Sequence, residues 1–239
     1  MSKYQKINDW CILSAEKDKT MLEHANADPI DQCCWSENFV KEDLMVHYFK
    51  QSTRRTVIDV GASYGWMAVS LAKYFKDVKC FEIREDVRYA LRQNVSTFSN
   101  VEVFDCGLSD KEKQVKFLNT RSTGHTRVLE DWVDKFKPGK GKDTAVSPLD
   151  SFNFKDVDCI KLDVEHYEFN VLLGAEETIK KWKPLLIVET TIKKSTGSYN
   201  ERQRVFKLLR KFDYEIKDTR SRDIIFTHKS LNHCNDVDL

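Results

Sequence analysis

Short apolar runs alternate along the chain with segments whose apolar residues return every three or four positions. Residues 56–61, TVIDVG, form an apolar run closed by an acid and a glycine, after which Trp66, Met67, Leu71, Tyr74 and Phe75 keep helical spacing. Residues 78–83, VKCFEI, are a second run, Val87, Leu91, Val95 and Phe98 step along a second helix, and VEVFD ends at Asp105. Parallel strands require crossover helices and bury both faces, so they read as continuous apolar runs instead of alternating ones. The spacing predicts a βαβαβ unit.

The pattern weakens between 110 and 143, where QVKFLN at 114–119 reads as a short strand and KPGKGKD at 137–143 as a loop. It returns with DCIKLDV at 158–164, a helix through Phe169, Leu172, Leu173, Ile179 and Trp182, a stop at Pro184, and the strand LLIVE at 185–189. A last helix around Val205, Leu208, Leu209 and Phe212 precedes YEIKD and DIIFTH, which read as an antiparallel pair. Upstream, Phe39, Val40, Leu44, Met45, Tyr48 and Phe49 give 38–50 an amphipathic helical pattern. The whole predicts an α/β domain over 51–231: a doubly wound, Rossmann-like, mostly parallel sheet with an antiparallel C-terminal strand pair. An N-terminal helical extension over 1–50 and a flexible tail over 232–239 complete the expected organisation.

At 239 residues the chain is long enough for one substantial core. Hydrophobic residues make up 41% and charged residues 32%, and a net charge of +1 gives no global reason to bind a polyanion. Nucleic acid is therefore not an expected partner without a local basic patch. No apolar stretch approaches the roughly 18 residues of a membrane span, so no membrane insertion is expected and the cytoplasm is the expected location. The seven cysteines include the adjacent Cys33 and Cys34 and form no CxxC pair. That pattern suits reduced thiols better than a disulfide framework or a zinc site.

The chemistry concentrates at predicted strand ends. Asp59-Val60-Gly61-Ala62-Ser63-Tyr64-Gly65 stands where a strand should give way to a helix. Gly61 suits a tight turn, and Gly65 would let the helix start lie close to a ligand, whose anionic group its N–H groups could receive. The GxxxG spacing departs from the GxGxxG of dinucleotide dehydrogenases. Glu82 follows Asp59 by 23 positions, near the spacing at which an acid accepts ribose hydroxyls in such folds, and Asp105 ends the third strand. Taken singly, each acid is equally well a helix cap or a solvated strand end.

With VIDVGASYG, FEI, FDCGLSD, SPLDSF, IKLDVEHYEFNVLLGAEETI and PLLIVE in order between about 37 and 189, the chain resembles the FkbM-type methyltransferases, a class I S-adenosylmethionine-dependent family. The resemblance implies S-adenosylmethionine as cofactor, with Asp59 toward its amino group, Glu82 on the ribose and Asp105 toward the adenine. Gly61, Ala62, Gly65, Ile83, Cys106 and Asp163 complete the implied binding set. It also implies methylation of a hydroxyl on a sugar, glycan or small metabolite. A nucleic-acid methyltransferase and a cofactor-binding protein without catalysis are the alternatives; the Asn/Asp-Pro-Pro-aromatic motif of amino-group nucleic-acid enzymes is missing.

Two positions depart from the family pattern: His166 stands where glycine is expected and Ser63 where asparagine is usual. Methyl transfer needs mainly positioning and exclusion of water, but an oxygen acceptor benefits from a base. Asp163, Glu165 and His166 are the catalytic candidates. Clustered carboxylates raise one another's pKa, which would poise one of them nearer neutrality. Glu165 and Glu168 read equally well as first-turn helix acids. No ligand spacing directs a metal to Asp163, Glu165 and Glu189. By resemblance, His125 in RSTGHTR precedes the acceptor side.

Overall fold

The computed structural model describes residues 2–14, 17, 22–23, 25–26, 54–118, 126–129, 141–190, 198–220 and 222–231. In chain order these form β1 (Tyr4–Ile7), β2 (Trp10–Leu13), β3 (Thr56–Val60), α1 (Trp66–Ala72), β4 (Asp77–Phe81), α2 (Glu85–Asn94) and β5 (Val101–Phe104). Next come β6 (Gly107–Leu108), β7 (Lys113–Leu118), β8 (Val128–Leu129), β9 (Gly141–Ser147) and a 3-10 turn at Leu149–Phe152. The last third holds β10 (Val157–Leu162), α3 (Glu168–Leu173), α4 (Glu176–Trp182), β11 (Leu185–Glu189), α5 (Ser198–Lys211), β12 (Tyr214–Arg220) and β13 (Asp223–His228).

Seven strands form one sheet in the order β12-β13-β11-β10-β3-β4-β5. The five from β11 to β5 are parallel, and β13 runs antiparallel to both β11 and β12. Chain order runs outward from the β3–β10 junction to β5 on one side and to β11 on the other, and the crevice beyond the carboxyl ends at such a switch point is where open α/β sheets hold ligands. Each sheet face carries its own apolar core. One packs α1, α2 and the first hairpin around Val57, Leu71, Val78 and Leu91; the other packs α3, α4 and α5 around Ile58, Ile160, Leu172 and Leu209. The α/β expectation, with helices on both faces and an antiparallel C-terminal pair, is met.

Several details differ from the expectation. Within the segment expected to be a helical extension, β1 and β2 form a hairpin. Its second strand, WCIL, is buried at all four positions, a continuous apolar run that a helix would bury only on one side. The expected helix at 38–50 and the tail at 232–239 lie outside the described residues. The helix expected from 169 to 182 is split into α3 and α4 at Gly174, which passes so close to Ser109 that a Cβ there would lie 1.9 Å from the Ser109 carbonyl oxygen. Residues 141–143, read as loop, begin β9, which with β6, β7 and β8 forms a second sheet. The SPLDSF segment gains a physical role: Asp150 caps α4, accepting the N–H groups of Glu177 (3.0 Å) and Thr178 (2.9 Å).

Candidate active site

The glycine turn follows β3 directly. The N–H groups of Gly61 and Ala62 both donate to the Phe81 carbonyl at the end of β4, at 2.9 and 3.0 Å, and Gly65 N–H donates to Ala62 O. Ser63 N–H donates to Glu82 Oε2 (3.0 Å) and Arg84 N–H to Glu82 Oε1 (2.9 Å). These amides therefore brace the turn against β4. The glycines are required for packing: Gly61 has φ +82° and an added Cβ would lie 1.8 Å from the Asp163 carbonyl oxygen, while at Gly65, φ +96°, it would lie 2.7 Å from Leu91 Cδ1. The neighbour that Gly61 admits so closely is the first residue beyond β10, and the one that Gly65 admits is α2.

The three strand-end acids occupy different settings. Glu82, one residue beyond β4, is buried, and burial raises its carboxyl above the ordinary value while the Arg84 and Ser63 N–H groups hold it down. Asp105, one residue beyond β5, is 78% exposed at its side chain and bonds Arg92 at 2.9 Å, with Arg88 at 3.6 Å. Asp59 lies inside β3, fully buried, and the cation it meets is Lys161 Nζ, at 3.6 Å. The register places Lys161 of β10 opposite Asp59. Ile83 and Cys106 are half-buried beside the ends of β4 and β5.

Across the switch point the ends of β10 and β11 carry an acid cluster. Asp163, Glu165 and Glu189 each bring a carboxylate oxygen within 4.8 Å of the others, close enough to share one cation. Positive charge already reaches them from the protein: Lys161 Nζ is 3.2 Å from Asp163, and Arg222 Nε is 2.9 Å from Glu189. Burial works to raise the Asp163 carboxyl, but Lys161 and a hydrogen bond from Glu189 bring it below the ordinary range. Glu189 is pushed up to about 10, first by burial and then by sharing its proton with Asp163. Asp223 stands opposite Glu189 in the β11–β13 register, and burial lifts it to about 7. Mutual elevation within the cluster thus falls on Glu189 and Asp223, while Asp163 stays ionised.

Between Asp163 and α3 the chain makes a strained turn, with Glu165 at φ +51° and His166 at φ +76°. The turn is held by Glu168, which is buried and whose Oε1 accepts the N–H groups of Val164 (3.3 Å) and His166 (3.2 Å). Burial, helped by the nearby Glu201 and Asp163 charges, raises Glu168 to about 8. Burial and the charge of Arg127 lower His166, which keeps its imidazole neutral near pH 7. The other sequence candidate on this side, His125, lies outside the described residues.

The model of the methyltransferase FkbM domain matches residues 42–216, well over half of the chain. The chain belongs to the FkbM methyltransferase family. A solved FkbM methyltransferase from Methylobacillus flagellatus KT superposes with a TM-score of 0.51 at 18% identity, covering 74% of this chain and 44% of that one. This FkbM chain thus spans less than half the length of that relative. The Aeropyrum pernix fibrillarin solved with bound S-adenosyl-L-methionine reaches a TM-score of 0.42 at 13% identity, over 72% of this chain and 64% of its own. A putative RNA methyltransferase from Pyrococcus horikoshii reaches 0.41 at 15% identity, over 72% and 74%. No curated protein sequence matches significantly.

In this FkbM chain both departures from the family pattern fall on left-handed backbone, Ser63 at φ +49° and His166 at φ +76°. Asparagine and glycine, the residues usual there, are those that adopt this conformation most readily. The sequence reading missed Lys161, the ammonium that organises Asp59 and Asp163. Its signal was a lysine inside an otherwise apolar strand run. It also missed Arg222 and Asp223, which only the antiparallel return of β13 brings to the site.

Proposed function

We propose that the chain is an S-adenosylmethionine-dependent O-methyltransferase acting on a hydroxyl of a sugar, glycan or small metabolite. Family membership carries the reaction class. The turn supports the cofactor, because the Ser63 hydroxyl is buried there without a hydrogen-bond partner among the described residues. Beside it, each Glu82 oxygen accepts one N–H and keeps a lone pair for the ribose hydroxyls. Gly61, Ala62 and Gly65, whose own N–H groups are committed to Phe81 and Ala62, would shape the turn beneath the amino-acid end of the cofactor, and Ile83 and Cys106 would flank its adenine. Asp105, whose Oδ1 is engaged by Arg92, would face the adenine with its other carboxylate oxygen. Asp59 would act indirectly, through Lys161 and Asp163.

The cofactor supplies an electrophilic methyl group on a sulfonium. The protein must bring the acceptor oxygen into line, exclude water and receive the hydroxyl proton. Asp163, ionised and held low, is suited to orienting the acceptor by a hydrogen bond; Glu189 already holds a proton. Glu165, whose carboxylate converges on Asp163, and the neutral imidazole of His166 are the groups suited to take the proton. The chain's net charge of +1 gives no global attraction for a polyanion, which favours neutral hydroxyl acceptors over nucleic acid.

Transfer of labelled methyl from S-adenosylmethionine to neutral glycans, hydroxylated metabolites and RNA tests this reading. Label in a hydroxylated neutral acceptor and none in RNA is expected. Label in RNA would overturn the acceptor class, and no transfer to any of them by protein that binds the cofactor would favour the non-catalytic alternative. On the acceptor so found, Glu165→Gln should lower the rate about a hundredfold or more if it is the base. A full rate across a pH series would leave positioning alone to explain the reaction.

A further inference from the structure

Helix α2 holds the back of the glycine turn through one row of side chains. Arg88 Nη1 donates to the carbonyls of Glu82 (2.6 Å) and Ile83 (2.9 Å), just past β4. Leu91 and Val95 fill the space beside Gly65. Asn94 lies between them and the first hairpin: its Oδ1 accepts Cys11 N–H (2.7 Å), and its Nδ2 donates to Cys11 O (3.0 Å) and to Tyr64 O (2.8 Å). One buried amide thus ties β2 to the turn. Two further contacts reinforce it. Leu13 N–H donates to the Tyr64 hydroxyl (3.4 Å), and the ring of Trp10 lies 3.9 Å, centroid to centroid, from that of Trp66, the first residue of α1. Trp10 and Tyr64 are both fully buried.

The hairpin at 4–13 lies outside the residues that match the family domain, 42–216. The contact between the hairpin and the glycine turn is therefore not part of the segment that matches the family domain. Loss of Asn94 would leave three buried backbone groups without their partner, two in the hairpin and one in the turn, so neither segment could relax without the other.

We infer that Asn94 is a positioning residue that makes the N-terminal hairpin part of the cofactor-binding unit, so that cofactor bound at the glycine turn tightens the hairpin and loosening the hairpin weakens cofactor binding. The inference rests on the cofactor reading above. By linkage the coupling works in both directions: whatever the hairpin adds to cofactor affinity, the cofactor returns as hairpin stability.

Hydrogen exchange on the full chain, with and without saturating S-adenosylhomocysteine, reads this coupling directly. The Cys11 and Leu13 amides should slow at least tenfold on adding the ligand, together with those of 61–66. Slowing at 61–66 with Cys11 and Leu13 unchanged would overturn the inference while leaving the cofactor reading intact. If S-adenosylhomocysteine does not bind the wild-type chain at all, the cofactor reading fails and the inference falls with it. As a second test, Asn94→Ala should raise the dissociation constant for S-adenosylhomocysteine at least tenfold, measured well below its own melting temperature. An affinity within twofold of wild type would show a merely structural asparagine. Should Asn94→Ala fail to fold, the wild-type exchange experiment decides alone.

Discussion

At the carboxyl ends of β3 and β4 the site is held by close backbone fit, whereas at the ends of β10 and β11 it is held by charge. In the first region glycine φ angles, turn amides and the Phe81 carbonyl fix the geometry, and Glu82 is locked by two N–H groups. In the second, Lys161 and Arg222 face Asp59, Asp163, Glu189 and Asp223, and the turn beyond Asp163 runs through two left-handed residues that are not glycine. On the proposed reading, the region fitted by backbone would take the cofactor, whose shape is constant, and the charged region, which single substitutions can retune, would take the acceptor.

The largest expected effect comes where the two regions touch. Gly61→Val would drive a Cβ into the Asp163 carbonyl at 1.8 Å, and the loss should exceed about 4–5 kcal/mol, the range of severe core disruption. Circular dichroism and thermal melting should therefore show little folded protein. A variant that folds normally and merely loses cofactor would show that Gly61 serves the ligand and not the β3–β10 contact.

Next in size is Lys161→Met. Removing the ammonium strands the fully buried Asp59 and the part-buried Asp163, at a cost of about 3–5 kcal/mol. Denaturant titration at pH 7 checks it, and part of the loss should return at lower pH as the stranded carboxylates take up protons.

Glu168→Gln sharpens the comparison through pH. Folded Glu168 keeps its proton up to about pH 8, while a glutamate in the unfolded chain ionises near about 4.3. The folded state thus binds the extra proton between those values, so this contribution to stability is complete below about pH 4.3 and is lost as pH rises toward 8. Glutamine keeps an oxygen for the Val164 and His166 N–H groups without the ionisation. Melting temperatures from pH 5 to 9 should fall less steeply in the variant; parallel curves would contradict the assignment. The smallest effect is His166→Gly, which relieves the residue at φ +76° and should stabilise by at most about 1 kcal/mol, since glycine also costs backbone entropy. A rate loss above tenfold on a verified acceptor, with cofactor affinity unchanged, would show that His166 has been recruited for catalysis.

The same contrast governs what the sequence discloses. The glycine turn and Glu82 were legible because backbone demands leave fixed residue types at fixed spacing, and apolar runs marked β3, β4, β10 and β11. Their details were not: that Gly61 faces Asp163 and Asp59 faces Lys161 depends on the pairing of β3 with β10, about a hundred residues apart in sequence. The direction of each pKa shift depends likewise on burial and on Arg222 and Asp223 arriving by way of β13. The first hairpin was not foreseen because WCIL is too short to show a period, and the Asn94 amide that holds Cys11 lies far along the chain on α2.

The most direct measurement is calorimetric titration of the full chain with S-adenosylhomocysteine, alongside Glu82→Ala. Binding in the low micromolar range or tighter is expected, on the order of 8 kcal/mol at one micromolar, with Glu82→Ala weaker by about 1–3 kcal/mol through loss of the ribose hydrogen bonds. No heat of binding at millimolar ligand, from a chain shown to be folded, would contradict the assignment of the glycine turn and Glu82 as a cofactor site.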